Sequence, residues 1–174
     1  MRNKTKLLAP LTAVSVAALA VSGALAAADG ATAGGPVQLY EADTELAGSL
    51  GTVILTGAIT DHGHDHQGVD PTGTINKLVL SKGSFEINVG DLGNLLTFTP
   101  DPNKGCSADG SATAPIPIVA GSGTGAYKGI SGTLKTTASV AFIVPRLAND
   151  GCDTNATRYP GVLIANGAGT ISYK

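Results

Sequence analysis

The sequence predicts an all-β protein folded as an antiparallel, closed β-barrel of about eight strands, and three observations support this fold class. After residue 28, helical periodicity is nearly absent, and long stretches alternate apolar and polar residues with the period of two of a half-buried strand. The chain has 24 glycines, which separate these stretches as turn residues, and no segment reads as a crossover helix. Because closing a sheet on itself removes exposed edges, such long strands favour a barrel.

The alternation also predicts where each strand lies. It is clearest over residues 130–144, where Leu134, Val140 and Phe142 share one parity and hydroxyl side chains take the other. The other predicted strands cover residues 46–60, 74–80, 84–89, 112–119 and 161–173. The apolar parity changes at Gly83, which predicts a bulge or a tight turn there. One or two helical turns are predicted near residues 91–96, with Asp91 as the N-cap.

The beginning of the chain predicts export. Residues 1–28 combine a basic start, a long apolar run and a small-residue cleavage site, the features of a secretory signal peptide. Cleavage after Ala26 and cleavage after Ala28 fit equally well, and an uncleaved membrane anchor is the alternative. We therefore predict a secreted, extracellular protein with one domain, residues 29–174, and no membrane association after cleavage.

The charge of the predicted mature chain excludes one class of partner. The whole chain has 11 Lys and Arg against 13 Asp and Glu, and three of the basic residues lie in the first six positions. The remainder therefore carries 8 basic against 13 acidic residues, a net charge of −5. A chain with this balance lacks the basic surface that binds nucleic acid, so no nucleic-acid partner is predicted.

Two cysteines, Cys106 and Cys152, both lie in turn-rich segments. In an oxidising compartment a disulfide is favoured over two free thiols. We predict that they form a bridge, with two unpaired thiols as the alternative.

A glycine-rich segment at residues 121–133 carries a family resemblance. It resembles a hairpin motif of the allene oxide cyclase and dirigent barrel superfamily, and the matching residues are Gly121, Gly123, Gly125, Tyr127, Gly129 and Gly132. Residues 56–63, 77–88 and 167–173 are similar to small secreted actinobacterial proteins of the same barrel type. The resemblance implies an eight-stranded barrel with a cavity at one end, often as a homo-oligomer. Plant members cyclise an allene oxide or steer phenoxy-radical coupling, but none of their pocket residues can be matched here.

All three histidines of the chain lie between residues 62 and 66. In an extended backbone His62, His64 and His66 point the same way, and with Asp65 they would supply ligands for zinc or copper. The hydrophilic residues around them favour a solvated loop instead, so no cofactor is the main expectation and a zinc or copper site is the alternative.

Two groups of acidic residues are candidates for other chemistry. Glu86 points away from its apolar neighbours on a predicted strand, and it is the candidate for a catalytic acid if that face lines a cavity. Glu41, Asp43 and Glu45 alternate before the first predicted strand, where a solvated approach is favoured over a cation-binding face.

Three functions are consistent with these features. The first is a secreted, non-catalytic β-barrel that binds a small hydrophobic ligand or a partner, or serves as an envelope-associated structural module. The second is a cyclase, isomerase or dirigent-like enzyme that works in the barrel mouth with one acid such as Glu86. The third is an extracellular metal-binding protein that uses the three histidines.

Overall fold

A computed structural model describes residues 33–44, 50–156 and 160–174. The predicted signal peptide, Glu45 and the start of the predicted strand at residues 46–60 lie outside the described residues. Within the described ranges, no helix has both the length and the apolar character needed to cross a bilayer.

In the described ranges, eight strands form one antiparallel sheet. They are β1 (Ala33–Asp43), β2 (Leu50–Gly57), β3 (Asp61–His66), β4 (Ile75–Leu80), β5 (Gly83–Asn88), β6 (Ser107–Pro117), β7 (Ser131–Ile143) and β8 (Gly161–Tyr173). Their order across the sheet is β5-β4-β3-β2-β1-β8-β7-β6. An α-helix, α1 (Gly90–Leu95), follows β5, and 3₁₀ turns cover Pro102–Lys104 and Gly125–Tyr127.

The sheet curls through 224° and stays open, so the prediction of a closed barrel is wrong. The edge strands β5 and β6 form no ladder with each other in the described residues, and an isolated bridge joins Ile87 of β5 to Ile118, the residue after β6. Pro115 and Pro117 occupy alternate positions on β6. Because proline has no N–H to donate, this edge of β6 cannot support a regular ladder with β5.

Residues 118–130, here called the closing segment, cover the free edge of β5. The N–H groups of Val119 and Thr124 donate to the carbonyl oxygens of Glu86 and Ser84, at 2.9 and 2.8 Å. Side chains complete the contact, because the N–H of Glu86 donates to Ser122 Oγ at 2.9 Å. The backbone groups of β5 thus find partners without a neighbouring strand.

Glycines allow the closing segment to lie close to the backbone of the β4–β5 turn. Gly125 has a φ of +57°, and a Cβ there would lie 2.4 Å from the carbonyl oxygen of Lys82. Gly83 has a φ of +153° and pairs with Leu80 across the β4–β5 turn, which confirms the tight turn predicted from the change of parity.

The predicted inward and outward faces are largely confirmed. On β7, Leu134, Val140 and Phe142 are buried, as the alternation of residues 130–144 required. Helix α1 lies where helical turns were predicted, but Val89 precedes it as the N-cap and Asp91 lies in its first turn. The strands β1 and β3 were not predicted, because glycine, histidine and acidic residues in them obscure the apolar alternation.

The predicted disulfide between Cys106 and Cys152 is confirmed, with Cα atoms 5.5 Å apart. It joins the start of β6 to the connection between β7 and β8. Cys106 is fully buried in a small apolar cluster that also contains Ala108, Val140, Phe142 and Val144.

Candidate functional site

A cavity of about 380 Å³ lies on the concave face of the sheet, beside α1. Leu92 and Leu96 line it from the helix side. The apolar side chains contributed by the strands and by the residue after β5 are Leu39, Ile87, Val89, Ile116, Leu134, Ala138, Leu163 and Ala165. A volume in this range and a mostly apolar wall are typical of sites for small ligands.

Polar side chains are placed at one part of this cavity by β1 and by the β3–β4 hairpin. Glu41, Gln67 and Asn76 all line it. Glu41 is only 8% exposed, and its Oε1 lies 2.8 Å from the position where a Cβ on Gly51 would stand. The missing side chain at Gly51 therefore leaves room for the Glu41 carboxyl group inside the sheet.

Asp65 is the direct neighbour of Glu41 in this buried cluster. It pairs with Gly51 across β2 and β3, it is 0% exposed, and its carboxyl group is in hydrogen-bonding contact with that of Glu41. Asn76 Nδ2 donates to Asp65 Oδ2 at 2.6 Å, whereas Asp65 Oδ1 has no donor. Two ionised carboxylates have only acceptor atoms, so Glu41 and Asp65 can share a hydrogen bond only when one of them is protonated.

The pKa values of both acids agree with a shared proton. Burial, and then the proximity of Asp65 and Asp43, raise the pKa of Glu41 to about 8, against the opposing effect of a hydrogen bond from Gln67. Burial also raises the pKa of Asp65, although hydrogen bonds with Glu41 and Asn76 oppose the rise. We call Glu41 and Asp65 the carboxyl pair, and at neutral pH it retains a proton.

This proton makes stability depend on pH. The folded protein holds a proton on Glu41 up to about pH 8, whereas the unfolded chain releases it near pH 4.5. Stability is therefore greatest below the unfolded pKa and falls as the pH rises towards 8, by at most about 1.4 kcal/mol per pH unit. We expect Glu41→Gln to flatten this fall, with a gain of about 2 kcal/mol over wild type at pH 8, because Gln keeps a donor for Asp65.

Urea unfolding at pH 5, 6.5 and 8 measures the effect. Glu86→Gln is the matched control, since it makes the same change on the outer face of the sheet and should keep the wild-type slope. A wild-type protein with equal stability at pH 5 and pH 8 would contradict the shared proton.

The solvated approach predicted for Glu41 and Asp43 is wrong, since both side chains are buried. They share the inward parity of Val37 and Leu39 on β1. This parity was the signal in the sequence that pointed to burial. It is easily missed, because acidic residues are seldom buried without a partner.

The histidine segment forms a strand, so the prediction of a solvated loop there is wrong. His62, His64 and His66 point to the exposed face of β3, as expected for an extended backbone. Asp65 points to the opposite, buried face and cannot share a metal ion with them. In the part of the chain that the structure describes, no three His, Cys, Asp or Glu side chains have the arrangement of a metal site.

Glu86 does not line the cavity, which removes the reason for assigning it a catalytic role. Its neighbours Phe85 and Ile87 are buried on the concave side, and only Ile87 reaches the cavity. Glu86 is half-buried on the other face, at the position paired with Lys77. Among the described residues, the acid that lines the cavity is Glu41.

Another buried acid, Asp61, has a structural role at the other end of β3. Its carboxylate accepts hydrogen bonds from the hydroxyl groups of Ser81 and Tyr127 and from the N–H groups of His62 and Lys82, the last two at 2.8 and 3.0 Å. Burial alone would raise the pKa of Asp61, but these four donors hold it well below its usual range. Burial and the hydrogen bond to Asp61 raise the pKa of Tyr127.

The hydrogen bond to Asp61 gives a structural role to Tyr127, the tyrosine of the glycine-rich segment at residues 121–133. Tyr127 lies in the closing segment, is 2% exposed and packs edge-on against Phe85 at 5.6 Å between ring centres. Its hydrogen bond to Asp61 therefore connects the closing segment to β3.

Comparison with known proteins gives no relative: no family model, no curated protein and no solved structure matches this chain. The resemblance to the allene oxide cyclase and dirigent superfamily stays a prediction. The cavity and its carboxyl pair are thus the basis on which a function can be argued.

Proposed function

We propose that this protein is a secreted, non-catalytic binding protein that holds a small, mainly apolar molecule in the cavity beside α1. The cavity carries this proposal, because it combines about 380 Å³ of space and an apolar wall with a few polar groups grouped together. The signal-like residues 1–28 and the disulfide support an extracellular location.

The walls supply most of the binding free energy in this proposal. Leucine and isoleucine side chains line the cavity from β1, β6, β7, β8 and α1, so transfer of an apolar ligand from water is favourable. The polar groups Glu41, Gln67 and Asn76 orient the ligand, because a buried donor or acceptor left unpaired costs about 1–3 kcal/mol.

Filling the cavity should weaken binding without unfolding the protein. Ala138 is buried and lines the cavity on β7, opposite Ala165 of β8. We expect Ala138→Leu to weaken the binding of 1-naphthylmethanol, a neutral apolar probe, at least tenfold, because the added side chain takes the ligand's space. The free energy of unfolding should change by less than about 1 kcal/mol, since the leucine enters an existing void.

Isothermal titration calorimetry gives the affinity, and urea unfolding gives the stability. Ala141→Leu is the matched control, because Ala141 lies on the exposed face of the same strand. Failure of the wild-type protein to bind the neutral probe, or equal affinities in the two variants, would contradict the proposal.

A further inference from the structure

We propose that the ligand of this cavity is a primary amine with a compact apolar body, and that its ammonium group binds at the carboxyl pair. This inference rests on the proposed binding function, because it names the chemical class of ligand for the same cavity.

The first argument is an uncompensated negative charge. Of the described residues that line the cavity, none is Lys, Arg or His. The ion pair found among the described residues is a distant surface contact between Arg146 and Asp150, at 3.9 Å. No described Lys or Arg pairs with the carboxyl pair, and the basic side chain that acts on it is His66, which lies on the exposed face of β3. A buried negative charge without a direct counter-charge is costly. The pair limits this cost by retaining a proton, and a ligand that carries a positive charge can take the place of that proton.

The second argument is the oxygen that lacks a donor. Asp65 is 0% exposed, and its Oδ1 belongs to the carboxyl group that contacts Glu41. The single shared proton provides one donor for this pair of acids, whereas an ammonium group provides three. When the ammonium group binds, it donates to Glu41, the acid of the pair that lines the cavity, and the shared proton leaves to solvent. One positive charge enters and one proton departs, so the total charge is unchanged.

The shape and charge of the cavity select against other ligands. The walls away from Glu41 are mostly apolar, with Leu92 of α1 and Leu96, the residue after the helix, on one side. A hydrophilic cation such as a polyamine would leave its remaining amino groups against this wall. A fatty acid or a phosphate would bring a second negative charge towards Glu41, which electrostatic repulsion opposes.

Other ionisable groups near the carboxyl pair influence the proton that is released. Asp43 of β1 and His66 of β3 act on it electrostatically. The neighbours from β2, β4 and β8 are uncharged, namely Gly51, Asn76 and Ala165. Because the amine displaces a proton, its affinity should rise with pH, by up to tenfold per unit below pH 8.

Two probes of nearly the same shape test the inference. We expect 1-naphthylmethylamine, which is an ammonium ion at pH 7, to bind at least tenfold more tightly than the neutral 1-naphthylmethanol. Calorimetry in phosphate and in Tris buffer should show proton release with the amine and none with the alcohol. Glu41→Gln should remove both the preference and the proton release, while the outer-face control Glu86→Gln should keep them.

The outcomes separate the two proposals. If neither probe binds to the wild-type protein, the proposed binding function fails. If the alcohol binds and the amine binds no more tightly, or if the preference persists in Glu41→Gln, the amine inference is overturned while the binding function stands. Tighter binding of 1-naphthoate than of the amine would also overturn it.

Discussion

Replacement of Asp61 by alanine is expected to lower the free energy of unfolding by about 3–5 kcal/mol. The change removes the acceptor of four hydrogen bonds and leaves the hydroxyl of Tyr127 and the N–H of Lys82 without a partner. It also detaches the closing segment from β3, so the edge of β5 loses part of its cover. Urea unfolding at pH 7 measures the loss.

The same carboxylate should govern stability in acid. Its pKa is lowered in the folded protein, so its contribution is present above the unfolded value near 4 and is lost as the pH falls below it. Wild type should lose stability below about pH 4, and Asp61→Ala should lose much less. With the opposite effect of Glu41, wild-type stability should be greatest near pH 4–5.

Two variants control the Asp61 experiment. Asp109→Ala makes the same change at an exposed position of β6 and should alter stability by less than about 0.5 kcal/mol. Tyr127→Phe should cost about 1–2 kcal/mol alone and almost nothing when Asp61 is already alanine. An Asp61→Ala protein within 1 kcal/mol of wild type would disprove the role of this contact.

Removal of the disulfide is expected to cost about 4 kcal/mol, the value for a closed loop of this length in the chain-entropy description. Residues 106 and 152 are separated by 46 positions, so the bridge strongly restricts the unfolded chain. Alanine is the suitable replacement in a Cys106→Ala/Cys152→Ala variant, because Cys106 is fully buried among apolar side chains.

Reduction provides the control for the disulfide. A reductant should destabilise wild type to about the level of the double variant, and should leave the double variant unchanged. The intact mass of wild type should rise by two hydrogens on reduction. Equal masses before and after, or equal stability of wild type and double variant, would contradict the bridge and its contribution.

Much of the architecture follows from the sequence. The alternation on residues 130–144 placed the inward face of β7 correctly, because a strand's side chains must alternate whatever its neighbours are. The change of parity at Gly83 located a turn, and the two cysteines of a predicted secreted chain indicated their pairing. The strand face, the turn and the disulfide could be predicted because each follows from the type and spacing of the residues themselves.

The candidate site was harder to predict. Glu41 and Asp65 are 24 positions apart and meet across β2, where Gly51 leaves the space for a carboxyl group. Neither acid is marked by a motif, and strands β1 and β3 were not recognised. Glu86 appeared the better candidate because it lies on a clear strand, yet that strand presents it to the outer face.

By itself, the sequence determined that this protein is an antiparallel all-β domain with a disulfide, because alternation, turn glycines and cysteine pairing are properties of residue type and spacing. Only the tertiary structure decided that the sheet stays open, that the closing segment covers β5, and that two acids share a buried position beside an apolar cavity. These features depend on contacts between residues that are distant in the chain. The free energies of such contacts cannot be predicted from a local sequence pattern.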